Sequence, residues 1–226
     1  MSLRSQTEAY QLFQSPEFIE ALYATARYTA DNEREATFHA TLKSGQLAVS
    51  RVVTAHDQPG PTSIENTSID LELIGDYGSV ERDIAFALHS HPTRFLSNPR
   101  GVSPKDVLVP SLADLKYAES LERVNPGYID AILSTEYASG TYFSESKKPK
   151  IERAYLALFQ RIDASRPNYY QRFEGENTLS VGCQRFLKTM QDSGFGVAKL
   201  AYNFRLKHYE GNLGQQIQKL FMIGAN

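Results

Sequence analysis

The chain has 226 residues, 41% of them hydrophobic and 22% charged, with a formal net charge of −2. That composition is ordinary for a globular protein of one large domain, or one domain with an extension. Its near-neutral charge excludes a global pull toward nucleic acid or an anionic membrane. No apolar stretch nears the roughly 20 residues that span a bilayer, and Met1 to Glu8 lack an apolar signal core. Cys183 is the single cysteine, so no intrachain disulfide can form. A cytoplasmic protein is expected, and any metal site in it must be built from His and carboxylates.

In chain order, Ser15-Pro16-Glu17 supplies an N-cap, a proline for the first helical position and an acid for the first turn. Phe18, Ile19, Leu22, Tyr23 and Ala26 follow at helical spacing, so a helix is expected over 16–30. The acidic cluster 31–35 ends it. Two strand-like runs come next, 36–42 and 47–53, joined by a turn containing Gly45. Residues 56–68 read as a loop, 71–74 as a short strand and 75–78 as a turn.

Ile84 to Leu88 is short, apolar and bounded by charge before and proline after, the pattern of a buried strand. Pro92, Pro99, Pro104 and Pro110 then argue against any continuous element before Ser111. Ser111 is a good N-cap for a helix carrying Leu112, Leu115, Ala118 and Leu121, which Asn125-Pro126-Gly127 stops. Residues 93–109 would then be an insertion beside whatever the flanking residues build. Tyr128 to Ser134 reads as a strand, with 140–143 as its hairpin partner.

The polar, basic stretch 144–150 is a candidate boundary between a domain over 1–147 and a C-terminal extension or small subdomain over 148–226. Beyond it, Ile151, Ala154, Tyr155, Leu158 and Phe159 recur at helical spacing, predicting a helix over 151–162. A loop is expected over 165–178, a helix over 179–193 closed by Gly194, and a short helix over 213–223. No internal repeat is visible.

The chemistry concentrates in His89-Ser90-His91-Pro92. At a strand end, residues i and i+2 share a face, so both imidazoles can aim at one point while Ser90 turns away. Neutral imidazole is a common zinc ligand, and catalytic zinc takes three protein ligands and keeps a fourth position open. Taken alone, a His-x-His is more often two exposed loop histidines. Two further features change that balance: Glu35, at the start of the first strand, and Ser111-Leu112-Ala113-Asp114, at the start of a helix. His39, His56 and His208 read as structural or exposed, Cys183 as a small buried residue, and Lys147 to Lys150 as a solvated linker.

Glu, then His-Ser/Thr-His-Pro, then Ser-x-x-Asp is the motif order of the JAMM, or MPN-plus (JAB-type), zinc metalloproteases. The sequence resembles that family over roughly residues 15–145. The resemblance implies an α/β fold of the cytidine-deaminase-like kind, a mixed curved sheet flanked by helices. It makes His89, His91 and Asp114 zinc ligands, Glu35 the general acid/base and Ser111 the oxyanion helper. It implies zinc-dependent hydrolysis of an amide bond in a protein or peptide substrate, with ubiquitin-like C-termini among the family's targets. Ser103-Pro104-Lys105-Asp106 lies nearer the family's usual spacing and stands as the alternative to Ser111 and Asp114, although Pro110 favours a helix that begins at Ser111. Glu33 is the alternative to Glu35. A metal-free MPN-type scaffold that only binds partners is the rival reading from another class, and a zinc hydrolase of nucleotides or small amides is a third.

Overall fold

The computed structural model describes residues 6–32, 34–43, 45–54, 83–92, 108, 110, 114, 117–118, 121–122, 124–125, 127–137, 151–160, 196–203 and 208–209. These form an α/β protein. Two helices, α1 (Gln6–Gln14) and α2 (Pro16–Asn32), precede β1 (Ala36–Lys43), β2 (Gln46–Val49), β3 (Val53–Thr54), β4 (Ile84–Ser90), β5 (Ile129–Tyr137), β6 (Ile151–Gln160), β7 (Gly196–Asn203) and β8 (His208–Tyr209). The strands build one mixed sheet in the order β2-β1-β4-β5-β6-β7-β8, with β3 also paired to β1. The β4–β5 pair is parallel and every other pair is antiparallel.

Helix α2 begins as its sequence dictates. The Ser15 hydroxyl accepts from the Phe18 N–H at 3.0 Å, satisfying an otherwise orphaned donor. Phe18, Leu22 and Ala26 are buried, while Ile19 and Tyr23 are half-buried. Helix α1 sends Leu12 and Phe13 into the same cluster.

Helix and sheet meet on one face. Phe38, Ala40, Phe86, Leu88, Ile129, Ala131, Leu133, Ala154, Leu156 and Leu158 pack there against α1 and α2. The register confirms the alternation. Phe86 pairs with Ile129 and Leu88 with Ala131, while Ala87 pairs with Asp130 and His89 with Ile132, so the second set faces the other way. Between β4 and β5 the described residues 114, 117–118, 121–122 and 124 are helical; Ala118 and Leu121 are buried, and the Tyr128 hydroxyl donates to the Ala118 carbonyl at 3.1 Å. Gly127 takes φ +81° where this helix turns into β5, a conformation that suits glycine.

Three expectations differ from the structure. The run 47–53 is divided: β2 stops at Val49, and Ser50 bonds to the backbone of His39 from both its N–H (2.8 Å) and its hydroxyl oxygen (3.0 Å) before β3 begins. The expected helix over 151–162 is strand β6. Its helical spacing is embedded in an unbroken apolar run, and Ala154 to Leu158 are all buried. A strand covered on both faces has no polar side to reveal a period of two. Both edges of β5 are taken, by β4 and β6; the partner expected at 140–143 lies outside the described residues. So do the segments expected at 56–78, 93–107, 165–193 and 213–223. Strands β6 to β8, which follow the expected boundary at 147/148, continue the same sheet.

Candidate metal centre

The site is built at the C-terminal end of β4. His89 is the penultimate residue of that strand and His91 follows it immediately. The His91 N–H donates to the Leu133 carbonyl at 2.9 Å, which ties the residue to β5 beyond the last strand position of β4. Both side chains therefore leave the same face, as the two-residue spacing predicts. Their Nε2 atoms lie 3.0 Å apart.

Asp114, in the helix that follows, completes the group. Its Oδ1 is 3.5 Å from His89 Nε2 and its Oδ2 is 3.5 Å from His91 Nε2. A tetrahedral ion with bonds of about 2.1 Å needs ligand atoms about 3.4 Å apart. The two 3.5 Å separations to Asp114 fit that requirement, and the imidazole pair, at 3.0 Å, sits slightly closer. The three residues form the one group of metal-capable side chains of this kind among the described residues. They could hold a metal ion and leave a fourth position for another ligand.

The electrostatics agree with a cation site. Burial pushes the His89 imidazole down, but the Asp114 carboxylate, helped by Asp130 and Glu35, outweighs this and lifts it to about 9. Burial likewise pushes Asp114 up, and the two imidazoles hold it well below the usual carboxylate range. Without a metal, a proton on His89 supplies the positive charge that the carboxylates demand. A divalent cation would replace it.

Glu35 is 9% exposed and immediately precedes β1. It is not one of the three grouped residues, but its charge reaches His89. Its place is fixed by Ser90, on the opposite face of β4. The Ser90 Oγ accepts from the Ala36 N–H at 2.9 Å and contacts the Ala36 carbonyl at 3.2 Å. The same hydroxyl meets Thr29 of α2. The serine between the histidines thus pins the start of β1, and with it Glu35, to the end of β4.

Sequence reasoning passed over two contributors. One is this Ser90 link to Thr29 and Ala36. The other is Asp130, a carboxylate only 7% exposed in β5. Its signal was available: it is the one charged residue within Tyr128-Ile129-Asp130-Ala131-Ile132-Leu133. Of the residues read from the sequence, His89, His91 and Asp114 meet, with Glu35 beside them. Ser111, Ser103, Asp106 and Glu33 lie outside the described residues. His39 is half-buried in β1, and burial lowers its pKa. No protein-family model and no curated protein matches the chain.

Proposed function

We propose that this chain is a zinc metallopeptidase of the JAMM type, with a cytidine-deaminase-like sheet, hydrolysing an amide or isopeptide bond in a protein or peptide substrate. The observation that carries the reading is the meeting of His89, His91 and Asp114 at ligand spacing, with the buried acid Glu35 alongside. Zinc, when bound, supplies Lewis acidity that makes water a nucleophile near neutral pH and polarises a carbonyl oxygen.

The chain's own residues supply the rest. Glu35 takes the proton from the attacking water and later passes one to the departing amine. Its buried place at the start of β1, pinned to the end of β4 through Ser90, holds it beside His89 for that exchange. Asp114, 3.5 Å from each imidazole, would hold the ion together with His89 and His91. Ser111 is assigned the oxyanion by the family motif: its hydroxyl donates to the developing negative charge. A ubiquitin-like C-terminus is the proposed substrate class, and the cytoplasm the proposed compartment. Among the described residues no helix is long and apolar enough to cross a membrane.

Zinc content and hydrolysis of ubiquitin-like isopeptide and peptide substrates, measured for the wild type and Glu35→Gln, check this reading. The wild type should carry one zinc and cleave. Glu35→Gln should keep the zinc and lose about 10²–10⁴-fold in rate. Wild-type protein without stoichiometric zinc overturns the enzyme reading, and full activity in Glu35→Gln overturns the role of that residue.

A further inference from the structure

Asp130 has no part in the mechanism above, yet its position is specific. It pairs across the parallel ladder with Ala87, two residues before His89 on the same face of β4. It therefore stands diagonally next to His89, with the small side chain of Ala87 directly across from it on β4 and Phe159 as its register partner on β6. The next residue on its own strand and face is Ile132, which is fully buried. One carboxylate oxygen, Oδ1, accepts from the Ala131 N–H at 3.0 Å. The charges of His89, Asp114 and His91 all reach the group. It is nevertheless outside the set whose ligand atoms converge.

A carboxylate placed among Ala87, Ile132 and the strand backbone is costly unless something positive answers it. The protein holds it where two neutral imidazoles and one carboxylate would leave a divalent ion with a net charge of about +1. Metal-ligating histidines commonly depend on such outer carboxylates for orientation and affinity.

We infer that Asp130 is a positioning residue of the metal centre, an outer carboxylate that balances the bound cation through His89 without ligating it. This rests on the metal reading proposed above. The role explains why a charged residue interrupts the apolar first half of β5, Ile129 to Leu133: its unfavourable burial in the metal-free protein is offset when the cation arrives.

Asp130→Asn keeps the shape and the acceptor for Ala131 and removes the charge. Zinc affinity should fall about 10–100-fold, read by competition with a chromogenic chelator. The metal-free protein should keep its melting temperature or gain, because the lost charge was buried. A merely structural aspartate predicts the opposite pair: lower metal-free stability and unchanged affinity. At saturating cobalt, the visible bands of a tetrahedral site should be retained in Asp130→Asn; their loss would make Asp130 a ligand and overturn the outer role. Asp130→Ala, suited to a position beside Ala87, should repeat the affinity loss if Asp130→Asn folds poorly. Wild type that binds zinc tightly, with both variants equally tight, overturns this inference alone. Wild type that binds none overturns the metal reading and this inference with it.

Discussion

Strand β4 carries two different proteins on its two faces. Toward the helices it presents Phe86, Leu88 and Ser90; away from them, Ala87 and His89. The helix side is a cluster of aromatic rings in edge-to-face contact: Phe18 lies 4.9 Å from Phe86 and 5.0 Å from Phe13, at steep interplanar angles. The other side collects His89, Asp114, Asp130 and the nearby Glu35, all buried. One face lowers the free energy of folding by removing apolar surface from water. The other holds charged groups in a poor solvent, where their mutual arrangement decides whether they stabilise or destabilise. The first face makes the second affordable.

Changes on the aromatic face should have the largest effect on stability. Phe86→Ala removes a fully buried ring that touches Phe13, Phe18 and Phe38. A loss of about 3–5 kcal/mol is expected in denaturant unfolding with chelator present. A loss below about 1 kcal/mol would mean that this cluster does not carry the fold. Ser90→Ala comes next, because it acts where the faces are joined. It deprives the Ala36 N–H and the Thr29 hydroxyl of a buried partner, and about 1–3 kcal/mol should be lost. Thr29→Val added to Ser90→Ala should cost little more than Ser90→Ala alone, since both break one network. Fully additive losses would show that the two hydroxyls act separately.

The two faces were not equally legible in the sequence. Helix α2 was readable because its cap, its N1 proline and its 3.6-residue period agree with one another. Strand β4 was readable because an apolar run ends in charge and proline. The His89 and His91 pairing followed from the two-residue period alone. Strand β6 was not readable, because burial on both faces leaves apolar residues at helical and strand spacings alike. The joining of Asp114 to the histidines came from a motif, not from periodicity: nothing local says that a helix 23 residues after His91 returns to it. Asp130 was missed because a single acid in a strand acquires meaning only through its neighbour on another strand, and that pairing is a tertiary fact.

A pH dependence is the effect that the polar face alone should produce, since the aromatic cluster has nothing to titrate in the neutral range. In the metal-free protein His89 is raised to about 9 from 6.5. A raised histidine contributes stability that is fully present below 6.5 and is lost as pH climbs through about 9, because the native state binds the extra proton. Asp130, raised to about 7 mainly by burial, works in the same direction between its ordinary value of 3.8 and about 7. His39, lowered by burial, acts only below 6.5 and does not enter this window. Asp114, held low, gives stability that disappears only on acidification. The melting temperature in chelator should therefore fall between pH 6.5 and 9. Saturating zinc should abolish that fall, because His89 is then a neutral ligand and the native state has no extra proton to lose. A metal-free protein whose melting temperature is flat or rises across this window would show that His89 is not held protonated by Asp114, and that the polar face is not arranged around a positive charge.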